Sequence, residues 1–470
     1  MTRPRADRFK RVIIMRKIID NRPANIREIV AKGCLKKGLS LEDVSLLVNC
    51  EDSGIISDIF SAAAKIKQEI YGERLVLFAP LYVSDYCVND CAYCNFHVSN
   101  AGHKRRRLSQ DEIASEAACL INMGHKRVLL EFGEDPKLND IDYICEAIRT
   151  IYSVKDEHGN KIRRVNVNIA ATTVENYRKL KEEGIGTYQL FQETYHRLTY
   201  ESLHKGPKAS YERQITAHNR AREAGLDDLG IGALFGLYDW KFEVMALVEH
   251  AQKMEAELGV GPHTISVPRF RPAPGIKYQP KYPVNDADFL KIIAILRIAV
   301  PYAGIILSTR EEPALRSRAF QLGVSQASAA SICVPGGYNN FPSPSMGEGG
   351  GEGDNVGQFY IQDTRPVGDV VKSILADGLI PSFCTACYRS GRTGEDFMNL
   401  AKPGRIHEFC RPNALLTFAE YLEDFGDGDL KSEGGELIEK YLNDINDDAL
   451  RNKTTIKLKE IRNGARDLFF

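Results

Sequence analysis

Between residues 74 and 330 short apolar runs alternate with helix-like segments, and that alternation leaves few folds open. The runs lie at 74–82, 126–132, 163–170, 186–191, 228–236, 263–268, 303–308 and 325–330. Two of the intervening segments, LSQDEIASEAACLINMG and TVENYRKLKEEG, stop at Gly124 and Gly184, as helices that end on a glycine do. Strands and helices in strict alternation imply parallel strands joined by crossover helices. Eight such units predict an α/β fold, a closed or nearly closed (β/α)8 barrel over 71–340, with its chemistry at the C-terminal ends of the strands. Residues 1–70 read as an N-terminal helical segment covering the barrel. SLEDVSLLVNC opens with Ser40 and Asp43 in near capping-box spacing, and SDIFSAAAKIKQEIYG stops at Gly72. The stretch FPSPSMGEGGGEGDNVG (341–357) reads as a flexible loop, linker or lid; no GK[ST] follows, so it is not a phosphate loop. Residues 358–470 read as a mostly helical C-terminal domain.

Composition removes several functions. The 470 residues carry a formal net charge of −1, so no strong field points to nucleic acid. The one basic run, HKRRR (103–107), reads by default as a solvated face. No run of about 18 apolar residues occurs, which argues against a membrane span. The basic N-terminus contains only VIIM as an apolar stretch, too short for a secretory signal, and Asp7 and Asp20 argue against a transit peptide. A cytoplasmic location is expected.

Six of the eleven cysteines fall into two tight groups, Cys87/Cys91/Cys94 and Cys384/Cys387/Cys410. Grouped cysteines in a reducing compartment indicate metal or redox chemistry. The other five, Cys34, Cys50, Cys119, Cys145 and Cys333, read as small core residues. The first group, in YCVNDCAYCNF, has the spacing C-x3-C-x2-C and directly follows the first strand. Zinc completed by His97 or His103 is one reading. A 4Fe–4S cluster held through three irons, with the fourth open to a chelating small molecule, is the other.

C-x3-C-x2-C with Tyr93 before its last cysteine resembles the radical S-adenosylmethionine (radical SAM) superfamily, in which the open iron chelates SAM. The resemblance implies that Gly133 and Glu134, ending the second strand, stand in the glycine-rich motif that meets the SAM amino group. Phe132 replaces that motif's first glycine, and Asn95 stands where many members have glycine. Glu193, in FQETYH, resembles a glutamate that binds SAM in related enzymes.

The second group spaces its thiols as C-x2-C-x22-C within CTACYRSGRTGEDFM and its continuation. Zinc with His407 is again an alternative. Together the two groups are similar to the HydG family of FeFe-hydrogenase maturases, and the likeness covers nearly the whole chain. The stretch near 346–353 looks longer than that family usually has. The resemblance implies a lyase that uses SAM and a low-potential electron donor to break the Cα–Cβ bond of L-tyrosine. The products would be p-cresol and dehydroglycine, the latter passing through an internal channel to become CO and cyanide. It implies a second 4Fe–4S cluster on Cys384, Cys387 and Cys410, an additional labile iron held with the help of His263, and delivery to a hydrogenase-maturation scaffold protein. A substrate carboxylate would need cationic or hydroxyl donors, for which Arg310 with Ser308 and Thr309 are the candidates, an Arg fork suiting a carboxylate. A surface pairing of Arg310 with Glu311 or Glu312 is the rival. Arg269 and Arg271 are further candidates for contact with SAM or substrate. Two other readings stay open: a radical SAM lyase on another substrate whose second cluster is a redox relay, and a non-enzymatic metal scaffold.

Overall fold

The computed structural model describes residues 23–340, apart from 274, and residues 357–470. The basic N-terminal stretch and all but the last residue of the glycine-rich 341–357 stretch lie outside the described residues. Eight strands form the barrel: β1 (Arg74–Ser84), β2 (Arg127–Phe132), β3 (Arg164–Asn168), β4 (Tyr188–Gln189), β5 (Leu229–Gly232), β6 (Thr264–Ser266), β7 (Gly304–Leu307) and β8 (Gln326–Ser328). Each pairs in parallel with the next, and β1 pairs with both β2 and β8, which closes the ring. Helices cover the outside and side chains fill the inside, so the strands are buried on both faces. That is why they read as apolar runs rather than as alternating patterns. All eleven residues of β1 are buried. Gly124 and Gly184 follow their helices with φ of 93° and 67°, a backbone region that suits glycine.

A ninth strand, β9 (Ile380–Ser382), pairs with the first residues of β1 in the register Arg74↔Ile380 and Val76↔Ser382. The sequence did not announce it. It is three residues long and contains Pro381, which spoils its appearance as a strand. The consequence is functional: β9 fastens the C-terminal region to the barrel floor, two residues before Cys384.

The N-terminal helices Pro23–Gly33, Leu41–Asn49 and Ser53–Tyr71 pack on the outer barrel helices Trp240–Leu258 and Asp286–Ala299. Ser40 and Asp43 form a full capping box. The C-terminal helices His407–Phe425, Gly428–Asn443 and Asp448–Arg462 pack on one another, and the first lies on β9. Buried charge ties them to the floor. Glu420 accepts from Arg163 and stands 3.4 Å from the Lys126 ammonium, and Arg411 pairs with Glu73 at 2.9 Å. Among the described residues no helix is long and apolar enough to cross a membrane.

The chain after the glycine-rich stretch returns to the upper rim of the barrel before it descends. Gln362 and Asp363 donate their backbone N–H to the Thr309 carbonyl at 2.9 and 3.1 Å. Asp363 also meets Arg316 at 2.7 Å, with both side chains fully buried. Burial pulls the Asp363 carboxyl upward, but hydrogen bonds and charge from Arg365 and Arg316 hold it below the usual carboxylate range. Asp363→Ala would leave the Arg316 cation buried without its partner. A loss of about 3 kcal/mol is expected in denaturant unfolding at pH 7. Because the carboxyl is held low, the wild-type advantage should persist down to about pH 4 and fade only below it.

Candidate active site

The three cysteines of the first group lie on the loop between β1 and the Gln110–Asn122 helix, and all three face one cavity at the top of the barrel. Internal bonds hold this loop. Asp85, fully buried, accepts from the Arg106 backbone N–H at 2.6 Å and from His103 Nε2 at 2.8 Å. The Arg105 guanidinium donates to the carbonyls of Asp85, Phe96 and His97 at 2.8, 2.9 and 2.7 Å. Arg106 bonds Glu112, and Arg107 stacks on the Tyr143 ring. The expectation that HKRRR is a solvated face is corrected in part: His103 and Arg105 brace the cysteine loop, while Lys104 and Arg107 are exposed.

Each histidine of the zinc alternative bonds a carboxylate of this loop through one ring nitrogen. His103 is held by Asp85, and His97 Nδ1 bonds Asp90 at 2.9 Å. Hydrogen bonds from Ser99 and His97 lower the Asp90 carboxyl to about 2. Among the described residues no three Cys, His, Asp or Glu side chains close around a single ion. Ligands at the corners of a polynuclear cluster stand farther apart. All eleven cysteines are free. Burial pushes Cys91 well up and Cys94 up to about 11. Three unpaired thiols on one cavity wall fit a 4Fe–4S cluster, whose positive irons offset the cost of ionising them there.

Gly133 follows β2 at the point where that strand meets the cysteine loop. A Cβ there would stand 2.9 Å from the Tyr86 carbonyl carbon and 3.1 Å from the Cys87 Cβ. The Gly133 N–H donates to the Ser84 carbonyl at 2.8 Å and the Val88 N–H to the Glu134 carbonyl at 2.7 Å, fixing the close approach. Gly133→Ala is expected to displace the loop while the barrel remains folded. Iron taken up in anaerobic reconstitution should fall by about four per chain, the content of the cluster this loop would hold, with the far-ultraviolet spectrum unchanged.

Glu134 lines the cavity, accepting from Asn89 Nδ2 at 2.6 Å and from Arg213 at 2.5 Å. Glu193, just beyond β4, has φ of 66°, an uncommon conformation for a residue with a side chain. It accepts from the Lys208 ammonium at 2.6 Å. The turn is held from behind by buried Glu243, which accepts from the Thr194 hydroxyl and from the Tyr195 N–H at 2.9 Å. Strain of this kind survives where surrounding bonds over-determine it.

Across the lumen, the Arg310 guanidinium lies 3.3 Å from the Phe359 ring centroid and pairs with no carboxylate among the described residues. Its rival partner Glu311 is occupied by Arg269 and by Arg271 Nη2, the latter at 2.7 Å. Glu312 sits at the start of the Pro313–Leu322 helix. Ser308 lies on the cavity wall and accepts from the Arg310 N–H at 3.4 Å. The two further arginines separate. Arg271 lines the cavity and donates to the Arg310 carbonyl at 2.9 Å. Arg269 does not line it, because Glu311, the Val284 carbonyl at 2.9 Å and Asp286 at 2.8 Å take up its guanidinium. The expectation that Arg269 contacts SAM or substrate is corrected accordingly. Sequence reasoning missed Gln358 and Phe359, which arrive from beyond the glycine-rich stretch. Gln358 Nε2 reaches to 3.6 Å from the Cys94 sulfur. It also missed Lys208, Asn89 and Glu131, which carry no motif.

The second cysteine group lies at the floor, toward the other end of β1, a strand roughly 30 Å long at about 3.3 Å per residue. Cys384 follows β9, Cys387 lies in the short helix Ala386–Arg389, and Cys410 is in the first turn of His407–Phe425. Burial pushes Cys384 up and Cys387 up to about 12. Arg74, buried and without a carboxylate partner among the described residues, faces all three thiols. His263 immediately precedes β6 and stacks on Tyr388, the residue after Cys387, at 5.9 Å between ring centroids. Its Nδ1 lies 3.2 Å from Asp228. His407, the zinc alternative's fourth ligand, bonds the Gly404 carbonyl through Nδ1 at 2.6 Å. Between the two ends, buried Phe78, Leu129 and Ile306 meet as an apolar collar inside the barrel.

The family profile of the radical SAM superfamily matches residues 81–250, and that of the Biotin and Thiamin Synthesis associated domain matches 266–380. The barrel and its cysteine loop together define a radical SAM enzyme, which works with SAM, a 4Fe–4S cluster and an electron donor. Over 99% of both chains it matches the crystal structure of HydG, a maturase of the [FeFe]-hydrogenase, with 46% identity and a TM-score of 0.92. The HydG structure from Carboxydothermus hydrogenoformans matches over 96% of both chains, at 38% identity and a TM-score of 0.81. The 2-iminoacetate synthase of Escherichia coli (strain K12) is 30% identical over 346 residues, 73% of this chain and 86% of that protein. The chain belongs to the HydG family of FeFe-hydrogenase maturases.

Proposed function

We propose that this enzyme is a radical SAM tyrosine lyase. It cleaves the Cα–Cβ bond of L-tyrosine to p-cresol and dehydroglycine, and the latter is converted to CO and cyanide for a hydrogenase-maturation scaffold protein. The observation that carries the reading is the pairing, on one barrel, of a three-thiol site at the top with a second three-thiol site at the floor. The name of the Escherichia coli relative points the same way, since 2-iminoacetate is dehydroglycine.

Cys87, Cys91 and Cys94 would hold the cluster, which with SAM would supply the 5′-deoxyadenosyl radical as the hydrogen-atom acceptor for the substrate's amino group. The chain's own residues do the placing. Glu134 and Glu193 stand at strand ends beside the cysteine loop and receive the SAM amino group. Lys208 and Arg213 hold those carboxylates in position. Arg310, with Ser308, holds the tyrosine carboxylate, and Phe359 keeps the guanidinium plane facing the lumen. Reacting atoms need to approach to about 3–3.5 Å, and the enclosed lumen keeps water from competing for the radical. At the floor, Cys384, Cys387 and Cys410 would hold a second 4Fe–4S cluster, and His263 would offer a nitrogen to an added labile iron.

The test is product analysis after anaerobic reconstitution with iron and sulfide. About eight irons per chain are expected, with p-cresol and cyanide formed from tyrosine, SAM and reductant. SAM cleavage with neither product would favour a lyase acting on another substrate. Zinc without sulfide would favour a metal scaffold.

A further inference from the structure

Tyr82, Glu131 and Asn168 stand side by side on three neighbouring strands. The ladder pairs Tyr82 with Glu131 across β1 and β2, and Glu131 with Asn168 across β2 and β3. All three line the upper cavity. Glu131 has no cationic partner within ion-pair distance among the described residues, and Asn168 Nδ2 reaches it only at 3.4 Å. Glu131 thus differs from Glu134 and Glu193 on the same cavity, each of which is held by a cation, and it has no evident structural task.

We propose that Glu131 is the base that takes the proton from the substrate's α-ammonium group, so that the neutral amine is the form presented to the radical. The proposal rests on the reading of tyrosine as substrate and of Arg310 as the donor to its carboxylate. The chemistry requires such a group. An amino acid arrives as a zwitterion, and its ammonium nitrogen has no lone pair to stabilise a radical left by loss of a hydrogen atom. In the proposed step one ammonium N–H bond breaks heterolytically. The electron pair stays on nitrogen, and the proton moves to a Glu131 oxygen. Carboxylate becomes carboxylic acid, ammonium becomes amine, and nothing is oxidised or reduced.

The surroundings favour that direction. Glu131 faces Arg310 from beyond β7, Glu193 and Lys208 from beyond β4, and Tyr82 and Cys333 from the neighbouring wall. Glu193 and Lys208 pair with each other and nearly cancel. Burial pushes Cys333 up to about 12 and Tyr82 well above its ordinary value, so both stay neutral. The ionised form of Glu131 is favoured by the Asn168 amide and by the charge of Arg310, which has no carboxylate partner of its own among the described residues. A substrate carboxylate on Arg310 neutralises that charge and makes Glu131 more basic when the ammonium is beside it. In the free site burial raises Glu131 to about 8, so below that pH the group gives its own proton to solvent as tyrosine binds and then takes the proton of the ammonium.

Calorimetric titration of the SAM-loaded, unreduced enzyme with L-tyrosine, in buffers of differing ionisation enthalpy, tests this without turnover. Below pH 8 wild type should release about one proton per tyrosine bound, since a protonated Glu131 and a zwitterion together carry one proton too many for the complex. Glu131→Gln should bind tyrosine and release close to none. In turnover, p-cresol formation by Glu131→Gln should fall at least tenfold at pH 7 and recover about tenfold per pH unit toward the amine's own pKa, with SAM binding unchanged. Binding without proton release in wild type, or a Glu131→Gln pH profile that parallels wild type, would overturn the proposal. Absence of tyrosine binding by wild type would overturn the substrate reading, and this assignment with it.

Discussion

Replacing both Cys384 and Cys387 by alanine is expected to leave SAM cleavage and p-cresol formation within about twofold of wild type while CO and cyanide fall below detection. The expectation follows from where the fold puts the two sites. The first cysteine loop hangs from the C-terminal end of β1, and its supports, Asp85, His103, Arg105 and Gly133, are all local to that end. The second group hangs from β9 and the His407–Phe425 helix at the other end. Among the described residues nothing bonded to the first loop is bonded to the second, and sites without shared partners behave additively. Each removed thiol is small, and the domain keeps its attachments through β9, Glu420 and Arg411. Iron should fall from about eight to about four per chain. Electron paramagnetic resonance should lose one cluster signal and keep the one that responds to SAM. Loss of p-cresol in a folded double variant would mean that the floor site takes part in the first cleavage.

Arg310→Gln is expected to lower kcat/KM for tyrosine by a factor on the order of 100 to 1,000. That equals the loss of two charge-assisted hydrogen bonds to a desolvated carboxylate, at about 1.5–2 kcal/mol each. Slow reductive SAM cleavage in the absence of tyrosine should be unchanged, because Arg310 bonds none of the cysteine loop. Arg310→Lys restores charge but not the planar fork or its stacking on Phe359. It should recover tyrosine binding better than turnover. An Arg310→Gln variant with a normal KM would remove the residue from the substrate site. A deficit shared equally by SAM cleavage without tyrosine would make it a support of the SAM site.

The eight barrel strands were legible because a strand buried on both faces must be apolar along its length, and strict alternation with helices admits one closed arrangement. The cysteine loop was legible because its ligands are local in sequence. Gly133, Glu134, Glu193 and Arg310 were legible because each lies within four residues of the end of a strand, where barrel chemistry collects. Gln358 and Phe359 were not, since they meet the first loop across more than 260 residues and carry no pattern. The HKRRR run misled because the main partners of Arg105 are backbone carbonyls, which no sequence displays. Arg269 and Arg271 look equivalent two positions apart. Only the buried Glu311, which draws Arg269 away from the lumen and leaves Arg271 on its wall, tells them apart. Glu131 carries no motif; its interest comes from what does not pair with it.

The central claim is that two three-thiol sites on one barrel divide tyrosine into p-cresol and a fragment that becomes CO and cyanide. The most direct measurement supplies the reconstituted enzyme with SAM, reductant and L-tyrosine isotopically labelled at the carboxyl carbon, at Cα and at nitrogen. The account predicts unlabelled p-cresol, CO carrying the carboxyl carbon, and cyanide carrying Cα and its nitrogen together. SAM consumed to 5′-deoxyadenosine with every label still in intact tyrosine would contradict it.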